Sequence, residues 1–567
     1  MDRIVRINVN THAITHEKCP DDYTRSGGRN LIAKILINEV KPTCEALGKN
    51  NKLVFAMGLL TGTTVSCANR LSIGAKSPLT GGIKESNSGG IFAMRLAQSG
   101  IKLLIIEDIP CDDNWYNIVI ENEACRFEPA DQYRSMGTYQ YCEEISLKYP
   151  DCAAVCIGPA GEHLNLAAGI AVMDMEKHPN RFCARGGLGA VMGSKKIKGI
   201  IVVGKSAVKI ADRDRFKLAF TEYTAAVKAA PNTATYGMLG TASLVKKVNN
   251  LGGLPVNNFS IGSCVDMEKI SGETMFETIK ARGGEGKTTH SCMPGCIIQC
   301  SNIYPDKEGK TIVASLEYEN IGLLGSNLGI CDLDQIARLN YSCNDIGLDT
   351  IETGATIGVA MEAGLAVFGD YQAAQGMLEE IRQGSVLGRL LGSGTSITGK
   401  VLGVSNIPAV NGQSVAAYDP RAIKGMGVTY ATSTMGADHT FGPMINVKVD
   451  PANKEGQAAL FTKTQINVAV VDSLGLCLFS LGAYAANFQL LVNLINAKYG
   501  WEIDVDWIMR MGDETLANEH QFNQLAGFSN ARYRLPECFT ERVLPNLNTS
   551  FDVSDNELDQ VVMRFRQ

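Results

Sequence analysis

Three cysteines fall within nine residues, in the run His290-Ser-Cys292-Met-Pro-Gly-Cys296-Ile-Ile-Gln-Cys300. This spacing sets the thiols along one side of a helix or around a loop broken at Pro294-Gly295, where Pro-Gly favours a turn. Soft ligands packed so closely suit a metal centre that needs a fourth thiolate from elsewhere in the chain. The best candidate is Cys477, far downstream in Asp472-Ser-Leu-Gly-Leu-Cys477, so any fold must bring two distant segments together. Four thiolates fit a [4Fe–4S] cluster or a tetrahedral zinc site. The paired Cys-x2-Cys knuckles common in zinc sites are absent, which favours the cluster, and unliganded cysteines are a third reading.

At 567 residues the chain exceeds one compact core, and two to four domains are expected. With 45% apolar and 20% charged residues it reads as a soluble globular protein with a large core. A net charge of −6 argues against nucleic acid or an anionic membrane as a partner. The 17 cysteines are odd in number and sit in apolar surroundings, as at Cys152 and Cys156, so a reducing cytoplasm is expected in place of a secreted disulfide framework. The N-terminus reads as a strand and not as a signal peptide. The apolar stretch from about Ile466 to Ile495 approaches membrane length, but Asp472 and several Gly, Ser and Asn residues interrupt it, so a buried helix pair is expected and no membrane span.

An α+β fold is expected, with a β-rich N-terminal domain followed by two mainly helical domains. Residues 1–208 alternate short apolar runs, such as Leu53 to Met57 and Ile200 to Val203, with glycine turns. Helical periodicity takes over in 209–409, at Arg215 to Ala230, Thr241 to Asn249, Asp332 to Gly347 and Gln372 to Leu391. Gly392 to Gly399 reads as a linker, and 410–567 is again mostly helical. Two segments echo each other: Asn344-x-x-Gly-Leu-Asp349 and Asp472-x-x-Gly-Leu-Cys477. The helices before them are expected to present equivalent turns to two equivalent ligands.

Glycine runs at Asn87-Ser-Gly-Gly90, Gly158-Pro-Ala-Gly161 and Arg185-Gly186-Gly187-Leu-Gly189 can form anion-holding concavities, although none is a P-loop or a dinucleotide fingerprint. Arg70 and Arg185 could add bidentate phosphate contacts. Glu317-Tyr-Glu319 precedes an apolar helix, and His439 lies in Gly436-Ala-Asp-His439. Taken alone, Glu319 reads as a helix-start carboxylate and His439 as a surface or satisfied histidine. Placed in one pocket they could move protons. His12, His16, His178 and His520 read as surface residues.

Together these motifs resemble the aldehyde:ferredoxin oxidoreductases, tungsten or molybdenum bis-pterin enzymes. The resemblance runs over nearly the whole chain. It includes Leu60-Thr-Gly-Thr63, Lys76-Ser-Pro-Leu-Thr-Gly81, Asn87-Ser-Gly-Gly90, Gly158-Pro-Ala-Gly-Glu162, Arg185-Gly-Gly-Leu-Gly189, Tyr418-Asp-Pro-Arg421 and both echoed motifs. It implies a β-rich base for two pterins, closed over by two helical domains. It implies one [4Fe–4S] cluster on Cys292, Cys296, Cys300 and Cys477, with Arg70 between cluster and pterin. Asn87 and Cys183 match positions whose carbonyls help bind an Mg2+ that bridges the pterin phosphates. Asn344, Leu348, Asp349, Asp472 and Leu476 match pterin contacts, and Glu319 and His439 match the acid and histidine beside the metal. In such a site His439 would hydrogen-bond a carbonyl oxygen and Glu319 would accept a proton.

The chain departs from the family pattern in four places. Its cysteines are spaced Cys-x3-Cys-x3-Cys where Cys-x2-Cys-x3-Cys is usual, and Asn344 replaces an Asp. Thr440-Phe441 replaces a polar and basic pair, and Leu59 stands where Pro is usual. The resemblance implies aldehydes and carboxylic acids as substrates. It implies a ferredoxin, or a small ferredoxin-like multi-cluster subunit, as electron partner, within a homo- or hetero-oligomer. Other roles are the catalytic subunit of an aromatic acyl-thioester reductase, which would need a metal-ligating cysteine, and a non-catalytic electron-transfer subunit. Cys331 and Cys343 lie in the right region for such a ligand but read as structural thiols.

Overall fold

The computed structural model describes residues 3–121, 124–204, 206–446 and 449–566. Its N-terminal part is two six-stranded sheets. The first contains β1 (Arg3–Asn8), β2 (Ile14–Lys18), β3 (Leu53–Met57), β4 (Leu71–Lys76), β5 (Ile83–Ser88) and β6 (Ile101–Glu107). The second contains β7 (Tyr116–Glu121), β8 (Ala124–Pro129), β9 (Cys152–Cys156), β10 (Ile170–Val172), β11 (Arg181–Cys183) and β12 (Ile197–Val203). The strand orders are β2-β1-β6-β3-β4-β5 and β11-β10-β9-β12-β7-β8.

Read from opposite ends, these two orders are the same topology. Each sheet opens with an antiparallel hairpin, β1–β2 or β7–β8. In each, the hairpin's first strand pairs in parallel with the last strand, β6 or β12. The central strands β3, β4, β6, β9 and β12 are apolar runs buried on both faces, as expected of strands covered on two sides. One apolar cluster spans both sheets, with Phe55, Leu104, Val155 and Ile201 among its fully buried members.

Beyond residue 212 the chain is mainly helical. The α+β reading holds: mixed sheets come first and a mainly helical region follows. One expectation from sequence needs correcting. Gly392 to Gly399 is no linker, because the helix Thr395–Leu402 starts inside it. The buried Glu352 carboxylate accepts the Thr395 N–H at 2.8 Å, and Thr398 and Gly399 are buried, so tertiary contacts override the weak local propensity. The apolar stretch near Ile466 is, as expected, a pair of largely buried helices, Gln457–Leu474 and Gln489–Tyr499, separated by a 3-10 turn. Among the described residues no helix is long and apolar enough to cross a membrane.

The echoed motifs form matching helix ends. The helix Leu333–Ile346 stops at Gly347 (φ 84°) and Gln457–Leu474 stops at Gly475 (φ 77°). In both, the next N–H reaches back over the last turn, from Leu348 to Cys343 O at 2.9 Å and from Leu476 to Val471 O at 3.1 Å. This is the Schellman closure that favours glycine in the left-handed region. Each turn docks on one sheet at equivalent points. Arg70 N, just before β4, donates to Gly475 O at 3.0 Å, and Gly169 N, just before β10, donates to Gly347 O at 3.0 Å. The approach is close enough that a Cβ on Gly58, after β3, would lie 2.3 Å from Gly475 N. One on Gly158, after β9, would lie 2.3 Å from Ile346 O.

Candidate active site

The cysteine run is a loop and not a helix. Strand Lys287–His290 leads in, strand Ser301–Pro305 leads out, and His290 bridges to Cys300. Cys296 N closes a tight turn onto Met293 O at 3.3 Å. Gly90 N donates to Cys292 O at 2.7 Å, tying the loop to the end of β5, where the Asn87–Gly90 motif lies. Cys477, just past its helix turn, donates its N–H to Cys67 O at 2.8 Å. The sequence spans that separate these segments are therefore closed by backbone hydrogen bonds.

Cys292, Cys300 and Cys477 line a cavity of about 640 Å3 together with Arg70, Glu319, Asn344, Leu348 and His439. It adjoins a second cavity of about 330 Å3, lined by Asn87, Arg185, Asp349 and Asp472, and the two share Arg70, Glu319, His439 and Cys477. Cys296, Cys183, Gly186, Gly187 and Leu476 line neither. Gly186 O instead accepts the Ser77 hydroxyl at 2.7 Å, and Gly187 precedes the helix Leu188–Ser194.

Cys296, Cys300 and Cys477 are buried and Cys292 is partly buried. The Cys296 contact and burial push the Cys292 thiol well up, burial pushes Cys300 well up, and burial raises Cys477 against the pull of Arg70. Contact with Cys292 pulls the Cys296 thiol down, but the Cys67 contact and burial outweigh it and leave it at about 12. Without a cation these sulfurs stay protonated; a bound metal reverses that. Among the described residues no three His, Cys, Asp or Glu side chains converge on one metal ion. Arg70 lines both cavities: burial would lower its basicity, but Cys477, Cys292 and Asp472 around it raise it. Its guanidinium grips Asn87 twice, once at Asn87 O at 2.8 Å and once at the side-chain oxygen.

Glu317 and Glu319 divide their roles. Glu317 N-caps the helix Tyr318–Leu323 in a reciprocal box with Asn320. Glu319 accepts the Ala417 N–H at Oε2 (2.9 Å), and its Oε1 has no hydrogen-bond partner. His439 Nε2 lies 3.6 Å from that Oε1, and His439 Nδ1 is also unpartnered. The histidine is carried on a 3-10 turn capped by Asp438. Burial pushes the Asp438 carboxyl up, but Lys84 at 2.5 Å, Arg185 and His439 together hold it well below the usual carboxylate range.

The second cavity is ringed by charges. Burial lifts the Asp472 carboxyl to about 6, despite Arg29 at 3.3 Å and an Asn87 amide at 3.1 Å. Burial and Asp472 lift Glu85 to about 8, and its Oε1 has no partner. Sequence reasoning missed Glu85, Arg29 and Cys67. Glu85 lies two residues before Asn87, so the motif itself marked it. Arg29 and Cys67 carry no sequence signal. The surface reading holds for His12, His16 and His178, but His520 is fully buried. Its ring stacks on Phe565 with centroids 5.7 Å apart, and burial lowers it to about 3.

Two family models cover this chain. One, the aldehyde ferredoxin oxidoreductase N-terminal domain, matches residues 4–204, and the other, domains 2 and 3 of the same proteins, matches residues 219–566. The chain belongs to the aldehyde ferredoxin oxidoreductase family. This is a family of oxidoreductase enzymes, and its similarity to individual members is distributed along the whole length. The tungsten-containing aldehyde ferredoxin oxidoreductase of Pyrococcus furiosus is 32% identical, over 96% of this chain and 92% of its own. That of Thermococcus kodakarensis is 31% identical with the same coverage. An aliphatic sulfonate oxidoreductase WOR-like subunit of Pyrococcus furiosus is 26% identical over 86% of this chain and 80% of its own. The active-site complex BamBC of benzoyl coenzyme A reductase, solved with 1,5-dienoyl-CoA, shares the fold. Its TM-score is 0.81 at 17% identity, covering all of this chain and 93% of that one.

Proposed function

We propose that this chain is the catalytic subunit of an enzyme that interconverts aldehydes and carboxylic acids. It would use a tungsten or molybdenum ion held by two pterins and pass electrons through one [4Fe–4S] cluster to a ferredoxin or ferredoxin-like subunit. One observation carries this reading. Glu319 and His439, each with an unpartnered atom, face one cavity with Cys292, Cys300 and Cys477.

The residues fit the groups. Cys292, Cys296, Cys300 and Cys477 are the thiol set for the cluster, with Arg70 beside it. Asn344, Leu348 and Asp349 at one helix turn, and Asp472 and Leu476 at the other, would meet the two pterins. The Asn87 carbonyl, which has two lone pairs and one donor from Arg70, keeps capacity for the Mg2+, and Cys183 would supply the second carbonyl. Arg185, Gly186 and Gly187 belong to the adjoining phosphate-side turn. Bound there, the metal–pterin group supplies two-electron chemistry at carbon and the cluster supplies one-electron transfer.

The net reaction, RCHO + H2O → RCOOH + 2H+ + 2e−, asks the protein to orient a carbonyl, admit a water and remove protons. Glu319 Oε2 is fixed by Ala417 N, so Oε1 is held toward His439. At 3.6 Å the pair is beyond a hydrogen bond, and both groups stay available to an incoming molecule. The His439 ring donates to the carbonyl oxygen, and Glu319 takes the proton of the attacking water. Tyr236, Leu244, Tyr418 and Phe479 offer an apolar wall for the substrate's body. The only cysteines lining either cavity, among the described residues, are Cys292, Cys300 and Cys477. Cys343 is fully buried and Cys331 packs 3.4 Å from Cys264, which favours this reading over an acyl-thioester reductase with a metal-ligating cysteine.

The test is an aldehyde panel with a viologen acceptor on anaerobically purified enzyme. Glu319→Gln lowers kcat by about 10²- to 10⁴-fold with metal and pterin content unchanged. Wild-type turnover in that variant removes Glu319 from the reaction.

A further inference from the structure

A fifth thiol stands behind the four. Cys67 is fully buried, in the loop between β3 and β4, and its Sγ lies 3.9 Å from Cys296 Sγ. Its backbone holds a left-handed conformation (φ 64°), which is uncommon outside glycine. Several contacts hold this turn in place. Cys67 O accepts the N–H of Cys477, Ser66 Oγ accepts the N–H of Ile297 at 3.1 Å, and Tyr223 OH donates to Ser66 O at 3.1 Å. The turn therefore touches both segments that carry the four cysteines. Cys67 lines neither cavity, whereas Cys292, Cys300 and Cys477 line the larger one.

We propose that Cys67 is a positioning residue for the iron–sulfur cluster, donating its S–H to the sulfur of Cys296. The inference rests on the cluster assigned above. A sulfur bound to iron is a thiolate and has no proton to give, so in this contact Cys67 is the donor. A hydrogen bond to a cluster sulfur stabilises the more negative, reduced state and raises the reduction potential. The buried thiol thus sets how readily the cluster takes an electron from the active site and how readily it gives it up.

The experiment compares wild type, Cys67→Ala and Cys67→Ser, purified anaerobically, by iron analysis and by a redox titration followed through the EPR signal of the reduced cluster. The expected result is equal iron in all three chains, a shift of the Cys67→Ala potential to more negative values, and recovery toward wild type in Cys67→Ser, whose hydroxyl restores a donor. An unshifted potential in Cys67→Ala overturns the proposal. So does loss of iron from that variant, which would make Cys67 a ligand. A wild-type chain without iron fails at the earlier step, the cluster itself, and so is distinguishable from either.

Discussion

Glu317 and Glu319 are two residues apart and chemically identical, yet only their partners tell them apart. Glu317 spends its carboxylate on a helix cap, while Glu319 keeps one oxygen free beside His439. A sequence cannot display this distinction, because it depends on Ala417 arriving from almost a hundred residues away. His520 makes the same point. It sits on the helix Val505–Leu525, and its burial comes from Phe565 near the chain's end. It also gives a pH prediction. Burial, with Arg566 and Arg29, lowers its pKa in the folded chain from 6.5 to about 3. The unfolded chain therefore binds a proton below 6.5 that the native chain refuses. The stability is present above 6.5 and is lost as pH falls toward 3, by up to about 1.4 kcal/mol per pH unit. His520→Phe should flatten the fall in melting temperature between pH 6.5 and 4 relative to wild type. Parallel curves for the two proteins would contradict the assignment.

At the scale of elements, the two echoed motifs were the most legible part of the chain. Gly347 and Gly475 end their helices in matching turns because the left-handed closure needs glycine there. The cysteine run could be read in sequence as a helix or as a loop, since four-residue spacing fits both, and the turn from Met293 to Cys296 decides for the loop. The duplication of the two sheets was hidden, because strand pairing leaves only an alternation of apolar residues that many sequences satisfy. Gly58 and Gly158 look like ordinary turn glycines in sequence, and the reason for them is contact with the helix turns. Gly158 has extended backbone angles (φ −89°, ψ −171°) that any residue adopts, so its role is steric. Gly158→Ala should cost about 1–3 kcal/mol as the Ile346 turn is pushed away. It should lower the melting temperature and the pterin content together. Full pterin content at an unchanged melting temperature would show that the docking is not tight.

At the scale of the whole molecule, two copies of one six-stranded unit each receive one helix turn at equivalent points. The two halves also differ. Where the second half has Gly169, the first has Arg70, and the cysteine loop packs on the first half through Gly90. A redox centre is therefore expected on one side only, next to Arg70, which gives electrons a single exit. The most direct test is elemental and pterin analysis of the anaerobically purified chain. The account predicts about four iron atoms per chain, together with tungsten or molybdenum and roughly two pterins for each of those ions. A folded chain that carries neither tungsten nor molybdenum, or iron without pterin, would contradict it.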